Sequence, residues 1–229
     1  MKSVGDSVIS DILYPIITIG YIFLIYWAFL LLRKNKQTSL ILMIVVMFGL
    51  LYDTIVLSIG TLLGTGELLY NLNLGRYIVH ALLTPLYIIV AYEQSIRFDI
   101  NWFGIPKKML QVIFGVVMMV FIVIALTTHV IGVTLVPTTF DGVLRYIIDP
   151  THGRVPPIAA ILTIIVIMII GFVVMLKTSP RWVWLFIGAL VMFIGSAVPS
   201  SMFGTLIGSL AEFFLSITLL LTEKKLIEQ

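Results

Sequence analysis

The chain alternates long runs of apolar residues with short polar segments, and this pattern occurs seven times along its length. Most runs reach the roughly 20 residues that a helix needs to cross a bilayer. Lipid offers no partners to backbone polar groups, so a spanning run has to be helical. The pattern therefore predicts seven transmembrane helices, at about residues 13–32, 39–63, 75–96, 109–130, 157–176, 182–198 and 202–221.

The composition is that of a membrane protein. Hydrophobic residues make up 60% of the 229-residue chain and charged residues 11%, whereas soluble domains have about 45–50% and about 25%. Seven spans use most of the chain, so we expect one domain over residues 1–229, an all-α bundle of seven transmembrane helices. The chain has no cysteine, which excludes disulfides, thiolate metal sites and cysteine nucleophiles.

The basic residues indicate how the bundle is oriented. With the N-terminus outside, ten lysines and arginines fall on the inner side and four on the outer side. Because such an excess marks the cytoplasmic side, we expect an outside N-terminus, a cytoplasmic C-terminus and a multi-pass protein of the cell membrane. Membrane topology also accounts for the net charge of +3, and we expect no nucleic-acid partner. The inner set is Arg33, Lys34, Lys36, Arg97, Lys107, Lys108, Lys177, Arg181, Lys224 and Lys225, and the outer set is Lys2, Arg76, Arg145 and Arg154.

One connection, residues 131–156, is far longer than the others and lies outside in this topology. Connections of this length are usually either functional or disordered. This one holds a mostly apolar run at 143–148, which favours a structured outer loop that caps the mouth of the bundle over a freely exposed one.

Two short stretches carry glycines four residues apart, which places both glycines on one helical face. Such pairs let two helix backbones approach closely. We therefore predict tight packing at Gly60 with Gly64 and at Gly204 with Gly208.

Ionisable side chains within the spans are the main functional signal, because each costs about 2.5–3.5 kcal/mol on insertion scales. Asp53, His80 and Glu212 fall in the second, third and seventh predicted spans. At about 1.5 Å per residue, Asp53 lies in the outer half, His80 about 8 Å below the outer surface, and Glu212 near the midplane. Glu93 lies near the inner edge, where we expect an ion pair with Arg97 at i+4.

These residues form one polar pocket if the second, third and seventh spans pack together. Arg76, at the outer edge of the third span, shares a helical face with His80, and its planar guanidinium suits a phosphate or carboxylate head group. Pro85 interrupts the same span and frees a backbone carbonyl. The predicted catalytic residues are Asp53, His80 and Glu212, and the predicted substrate-binding residues are Arg76, Tyr52 and Tyr87.

Two interpretations of this cluster stay open. Arg76 and Asp53 could form a structural ion pair with His80 as its hydrogen-bonded neighbour, since buried charges are normally paired. Glu212 favours a functional interpretation, because it has no basic partner within its own span. An unpaired buried acid tends to stay protonated and can then donate its proton.

The first functional hypothesis is an enzyme. Two carboxyl groups in different surroundings can divide the roles of acid and base, and a protonated acid in an apolar cavity suits carbocation chemistry such as isoprenoid cyclisation. In outline the chain resembles the integral-membrane terpene cyclases, small seven-helix proteins with acidic residues on membrane helices. The resemblance covers the topology and the acids Asp53 and Glu212. It implies that membrane lipids surround a site for an apolar or amphipathic small molecule, which the enzyme would cyclise or modify.

Other functions compete with this one. Intramembrane Asp, His and Glu also form proton relays and proton-coupled transporters, although the sequence shows no inverted repeat and only one broken helix. The topology matches that of opsins and G-protein-coupled receptors, but the last span has no lysine before Lys224, which excludes a retinal Schiff base. A sensor, or a structural subunit of a membrane complex, stays open as well.

Hydrolase chemistry receives no positive signal. Zinc-dependent lipid hydrolases use several histidines, whereas this chain has three, of which His129 and His152 lie at or beyond the outer edge. A zinc held by His80, Asp53 and Glu212 is conceivable, but the spacing gives no positive signal for one, so no metal is predicted. No Gly-x-Ser-x-Gly motif is present. The sequence identifies neither a cofactor nor an oligomeric state.

Overall fold

The structure, a computed structural model, describes residues 9–102, 104–152, 157–198 and 205–229, and most of these are helical. A β-hairpin and a short 3-10 helix, Pro150–His152, lie between the fifth and sixth helices. The helices are α1 (Ile9–Lys34), α2 (Thr38–Leu63), α3 (Glu67–Leu83), α4 (Leu86–Arg97), α5 (Lys107–His129), α6 (Ile158–Lys177), α7 (Trp184–Ala197) and α8 (Leu206–Ile227). The strands are β1 (Leu135–Phe140) and β2 (Val143–Ile148).

Within the described ranges, six helices are long and apolar enough to cross a membrane, with α3 and α4 together forming one candidate span over Glu67–Arg97. The all-α fold class is therefore confirmed, and the chain is a multi-pass membrane protein. Helix α7 is apolar but has only 14 residues, which is shorter than a usual span. A seventh crossing and the orientation of the bundle stay predictions.

The third span starts earlier than the apolar pattern predicts, at Glu67 instead of residue 75. Glutamate and two asparagines in its first turns lower the local hydropathy, which hid the start of the helix. Arg76 therefore does not lie at the edge of the helix, as predicted, but about 14 Å along it. His80 lies about one helical turn beyond Arg76, further from the start of the helix.

Helices that follow each other in the chain pack side by side, and the ring closes where α8 packs against α1. Helix α4 occupies the centre, in contact with α2, α5, α6 and α8. Its residues Ile88, Val90, Ala91 and Gln94 are completely buried. Because α3 and α4 are separated at Thr84 and Pro85, a single span supplies both a peripheral and a central segment.

Small residues let α6, α7 and α8 pack closely. A Cβ on Gly171 of α6 would lie 2.7 Å from the backbone nitrogen of Phe186 in α7. A Cβ on Gly195 of α7 would lie 2.7 Å from that of Ala211 in α8. These contacts place helix backbones within van der Waals distance, as small residues do in membrane bundles.

The predicted glycine pairs behave differently from each other. Gly60 packs tightly, but against the backbone carbonyl of Leu144 in the hairpin and not against a helix. Among the described residues, no atom lies within 4 Å of a notional Cβ on Gly64 or Gly208, so neither glycine packs closely against that part of the chain, contrary to the prediction. Gly204 lies outside the described residues.

The loop predicted as a cap contains the hairpin, and residues 153–156 of that loop lie outside the described ranges. Asp141 and Gly142 form its turn with φ angles of 53° and 82°, the positive values that a two-residue type I′ turn requires. Ser10 of α1 donates backbone and hydroxyl hydrogen bonds to Asp141. Thr61 of α2 donates to the Gly142 carbonyl at 2.7 Å. The tip of the hairpin is thereby fixed to the ends of two helices.

The opposite end of the bundle holds an ion pair that the sequence pattern did not predict. Arg97 pairs with Glu223 at 2.6 Å (Nη1 to Oε2), not with Glu93. Glu223 is completely buried and also accepts a hydrogen bond from Gln94 at 3.0 Å. The predicted pair of Glu93 and Arg97 does not form because α8 continues to Ile227 and brings Glu223 into the packed interface. Glu93 instead accepts a hydrogen bond from the backbone amide of Ser39.

Close packing of α6 on α7 generates a stability prediction. Gly171→Ala should lower the free energy of unfolding by about 1–3 kcal/mol, because the new methyl group overlaps rigid backbone atoms of α7. Thermal unfolding in detergent would show this as a lower Tm. The matched control is Gly115→Ala on α5, where a Cβ meets no atom within 4 Å and alanine favours the helix. Equal Tm values for the two variants would contradict the packing described here.

Candidate functional site

A cavity of about 510 Å³ lies within the bundle, beside the break between α3 and α4. This volume falls in the range of about 300–1,000 Å³ that small-molecule sites occupy. Helices α5, α6 and α7 contribute a mostly apolar wall, and α2, α3 and α8 contribute a polar one. The polar wall consists of Asp53, Arg76, Tyr77, His80, Thr205, Ser209 and Glu212.

An ion pair between α2 and α3 forms one part of the polar wall. Arg76 Nε donates to Asp53 Oδ1 at 2.8 Å, and the side chains are only 12% and 17% exposed. Arg76 Nη1 also donates to Asn73 Oδ1 at 2.8 Å, and Asn73 donates to the Leu69 carbonyl. Charge-assisted hydrogen bonds of this kind are strong and directional, so the Asp53 carboxylate is held in place beside the cavity.

A base and an acid face each other next to that pair. His80 Nε2 lies 3.6 Å from Glu212 Oε1, within ion-pair range but longer than a hydrogen bond. The His80 side chain is 38% exposed, whereas that of Glu212 is 15% exposed. Both line the cavity, and neither is saturated by the other, so each keeps a site at which a small molecule can give or take a proton.

Packing below the cavity positions Glu212 on α8. Ser216, one turn further on, donates to the Glu212 carbonyl at 2.9 Å and pairs with the Tyr87 hydroxyl at 2.9 Å. Phe213 packs edge-on against Tyr21, with 5.1 Å between ring centroids. These contacts fix the rotation of α8 against α1 and α4, and with it the direction of the Glu212 side chain.

The break in the third span opens backbone polar groups at the cavity. Pro85 has no N–H and leaves the Ala81 carbonyl without its usual helical donor. Ala81, Thr84 and Pro85 all line the cavity. The freed carbonyl predicted from Pro85 therefore belongs to a residue of the cavity wall, where a bound molecule or water can satisfy it.

Five of the six predicted site residues line this one cavity: Asp53, Arg76, His80, Tyr87 and Glu212. Tyr52 does not line it, which corrects its proposed place in the pocket. Its hydroxyl donates to the Leu72 carbonyl at 2.9 Å and its ring packs on Gly75. Residues adjacent in a helix point about 100° apart, so Tyr52 cannot share the direction of Asp53. The chemical roles of the other five stay predictions.

Sequence reasoning missed Thr205, which links the cavity wall to the hairpin end of the bundle. Its hydroxyl pairs with the Tyr14 hydroxyl at 2.8 Å and accepts from Arg145 at 2.5 Å. Thr205 lies in the Gly-Thr-Leu-Ile-Gly stretch that was interpreted only as packing. A threonine directly before an apolar helical run is a typical N-terminal signal, and it could have identified this position.

In the part of the chain that the structure describes, no group of three His, Asp or Glu side chains is arranged to bind a metal ion. His80 and the two acids of the cavity instead form two separate pairs, of which one is already neutralised by Arg76. Proton transfer is the chemistry that these pairs support directly.

Comparison with known proteins gives no functional assignment, so the site is interpreted from its geometry. The chain matches no protein-family profile, and no curated protein or solved structure is significantly similar to it. The likeness to terpene cyclases thus rests on topology and two acids alone, and fold-level analogy does not establish a function.

The two pairs should respond differently to neutralising substitutions. Asp53→Asn should cost about 1–3 kcal/mol of stability, because it leaves the largely buried Arg76 without its carboxylate. Glu212→Gln should stay within about 1 kcal/mol of the parent protein, because its contact with His80 is long and partly exposed. Thermal unfolding of both variants in the same detergent measures this. Equal losses would mean that Glu212, like Asp53, has mainly a structural role.

Proposed function

We propose that the chain is a membrane-embedded acid/base enzyme that acts on a lipid-like or isoprenoid molecule bound in the 510 Å³ cavity. The observation that carries this proposal is the placement of Glu212 and His80. An acid and a base lie 3.6 Å apart in the wall of a mostly apolar cavity, and neither is saturated by the other.

The two walls of the cavity favour an amphipathic ligand. Ile164 and Ile167 of α6, Met192 of α7 and Leu215 of α8 offer apolar surface, against which a hydrocarbon chain is stabilised by about 25 cal/mol per Å² buried. Arg76, on the opposite wall, offers donors to a polar end. Apolar pockets with a few converging polar groups are typical of small-molecule sites.

The pair of Glu212 and His80 supports proton-initiated rearrangement. Glu212 adds its proton to one carbon of a double bond, and the neighbouring carbon becomes a cation. A second double bond can attack this cation to close a ring, or the cation can persist. His80 then removes a proton from an adjacent carbon, which restores a double bond. One proton enters and one leaves, and transfer from His80 back to Glu212 completes the cycle.

Asp53 has a different role in this scheme. Its carboxylate is bound by Arg76 at 2.8 Å, so it is poorly placed to exchange protons. A fixed anion in a mostly apolar cavity stabilises a passing cation more strongly than it would in water. We therefore assign electrostatic stabilisation to Asp53 and proton transfer to Glu212 and His80.

We further propose that α7 is a seventh crossing, that the N-terminus and hairpin lie outside, and that the protein resides in the cell membrane. The excess of lysine and arginine at the opposite end of the helices supports this orientation. In this arrangement the cavity opens in the outer half of the bundle, beneath the hairpin.

The absence of native cysteines makes the orientation directly measurable. Thr139→Cys, exposed on the hairpin, should react with a membrane-impermeant maleimide in intact cells. Lys108→Cys, exposed at the other end of the bundle, should react only after permeabilisation. The unmodified chain gives the background. Labelling of Lys108→Cys in intact cells, with protection of Thr139→Cys, would reverse the proposed topology.

Proton addition to carbon gives the enzyme proposal a specific signature. Purified protein incubated in D₂O with a panel of polyprenols and polyprenyl phosphates should place deuterium on a product carbon. Glu212→Gln should slow this incorporation by at least about 100-fold, the usual contribution of a general acid. The matched control is Glu67→Gln, which changes an exposed glutamate at the start of α3 and should leave the rate unchanged.

Two outcomes would contradict the enzyme proposal. One is a parent protein that incorporates no deuterium into any member of the panel, and the other is a Glu212→Gln variant as fast as the parent. Proton uptake by protein-containing vesicles that depends on Glu212, without any deuterated product, would instead support a proton relay. The broken span at Pro85 in the cavity wall is the feature that favours this second function.

A further inference from the structure

Arg145 is a buried cation that does not itself line the cavity but bonds to Thr205, which does, and the proposed proton chemistry does not use it. It lies on β2, is only 8% exposed, and donates from Nη1 to the Thr205 hydroxyl at 2.5 Å. Its Nε is buried and has no hydrogen-bond partner among the described residues. Buried polar atoms of this kind are uncommon and usually indicate a missing partner.

The charges around Arg145 do not balance. Of the carboxylates that the structure describes, none lies within 4 Å of Arg145. Asp53 is bound by Arg76, and Asp141 accepts from Ser10 instead. Arg145 therefore has no carboxylate partner of its own within the described part of the chain, although Asp53 and Glu212 line the adjoining cavity.

The pKa of the Arg145 guanidinium is lowered in these surroundings. Burial lowers the pKa of its guanidinium and the positive charge of Arg76 lowers it further, whereas Tyr14, Tyr77 and Asp53 raise it without reversing the shift. An arginine nevertheless stays protonated in a protein, so the cost of an uncompensated cation is not relieved by loss of a proton. An anion bound nearby would relieve it.

The start of α8 adds a third source of positive potential. Thr205 is the residue before this helix, but its hydroxyl pairs with Tyr14 and Arg145 and makes no cap to the helix amides. The positive end of the helix dipole is therefore not neutralised by a side-chain cap. Thr205 and Gly208 both line the cavity, and the glycine leaves the first turn open towards it.

A purely structural role explains Arg145 less well. The hydrogen bond to Thr205 ties the hairpin to α8, but a neutral donor such as glutamine could make the same bond. A buried cation without a partner costs several kcal/mol relative to such a residue. The presence of arginine is better explained by a ligand that carries the missing negative charge.

We propose that Arg76 and Arg145, together with the start of α8, bind the anionic head group of an amphipathic substrate, either a phosphate or a carboxylate. The inference rests on the proposed function and specifies its substrate class. The hydrocarbon chain of the ligand would lie along the apolar wall of α6 and α7. In this placement a double bond close to the head group lies near Glu212 and His80.

Matched ligands that differ only in the head group test the inference. Binding of farnesyl phosphate, farnesoic acid and farnesol to the purified protein would be measured by calorimetry in an uncharged maltoside detergent. At least one of the two anions should bind about tenfold or more tightly than farnesol, because charge-assisted bonds to arginine are strong. The better of the two anions identifies the head group as phosphate or carboxylate.

Variants then assign the effect to Arg145. Arg145→Gln should reduce the preference for the anion to about threefold or less, and Arg145→Lys should retain part of it, because lysine keeps the charge but loses the planar fork. The control is Arg181→Gln, an exposed arginine at the opposite end of the bundle, which should bind all three ligands like the parent. Without ligand, Arg145→Gln should be at least as thermally stable as the parent.

Several results would overturn the inference. A lower Tm for ligand-free Arg145→Gln, with equal losses for anion and alcohol, would show that Arg145 only fastens the hairpin. Equal binding of farnesol and both anions would show that the protein has no site for an anionic head group. An Arg145→Gln variant that keeps the full preference for the anion would show that Arg145 does not form that site. Failure of all three ligands to bind would also overturn it. Because deuterium incorporation is measured independently of affinity, these failures are distinguishable from failure of the enzyme proposal.

Discussion

A charge shielded from water has to find an opposite charge, and this constraint organises both ends of the bundle. At the hairpin end, Asp53 and Arg76 join α2 to α3. At the other end, the completely buried Glu223 joins α8 to Arg97 on α4. Breaking a buried pair is far more costly than replacing both partners, so the two pairs fix the rotation and register of the helices that carry them. The cavity lies between these two anchors in the chain, with Thr84 and Pro85 of the break in its wall.

The same constraint separates structural from chemical groups. Asp53 is saturated by a short, directional bond to Arg76, whereas Glu212 and His80 meet at 3.6 Å and remain available. Arg145 shows the opposite imbalance, since it is buried without any carboxylate within reach in the described chain. The polar wall thus contains one satisfied pair and one loosely matched acid and base, and the unmatched cation Arg145 lies behind it, bonded to Thr205. These differences in charge pairing support a site that both binds an anion and transfers a proton. In a purely structural network, every buried charge would be paired.

Apolar periodicity predicted the helices well, because a run that fills a bilayer leaves few alternatives to a helix. It failed where a helix begins in polar residues, as at Glu67, and where a side chain finds a partner far away in sequence, as Arg97 does in Glu223. The grouping of Asp53, His80 and Glu212 around one cavity followed from the cost of charge in lipid. The hairpin did not follow from that reasoning, although Asp141 and Gly142 between two apolar stretches are a recognised turn signal. Arg145 became informative only once the structure showed its surroundings.

The central position of α4 has a consequence for how the protein is made. This helix is threaded early, yet its neighbours α6 and α8 emerge later from the ribosome. Until α8 arrives, Gln94 and Arg97 lack their shared partner Glu223. The growing chain therefore carries an unshielded guanidinium through most of its synthesis, and final assembly has to await the last segment. A chain that stops short of α8 would leave its central helix without the one carboxylate that Gln94 and Arg97 share.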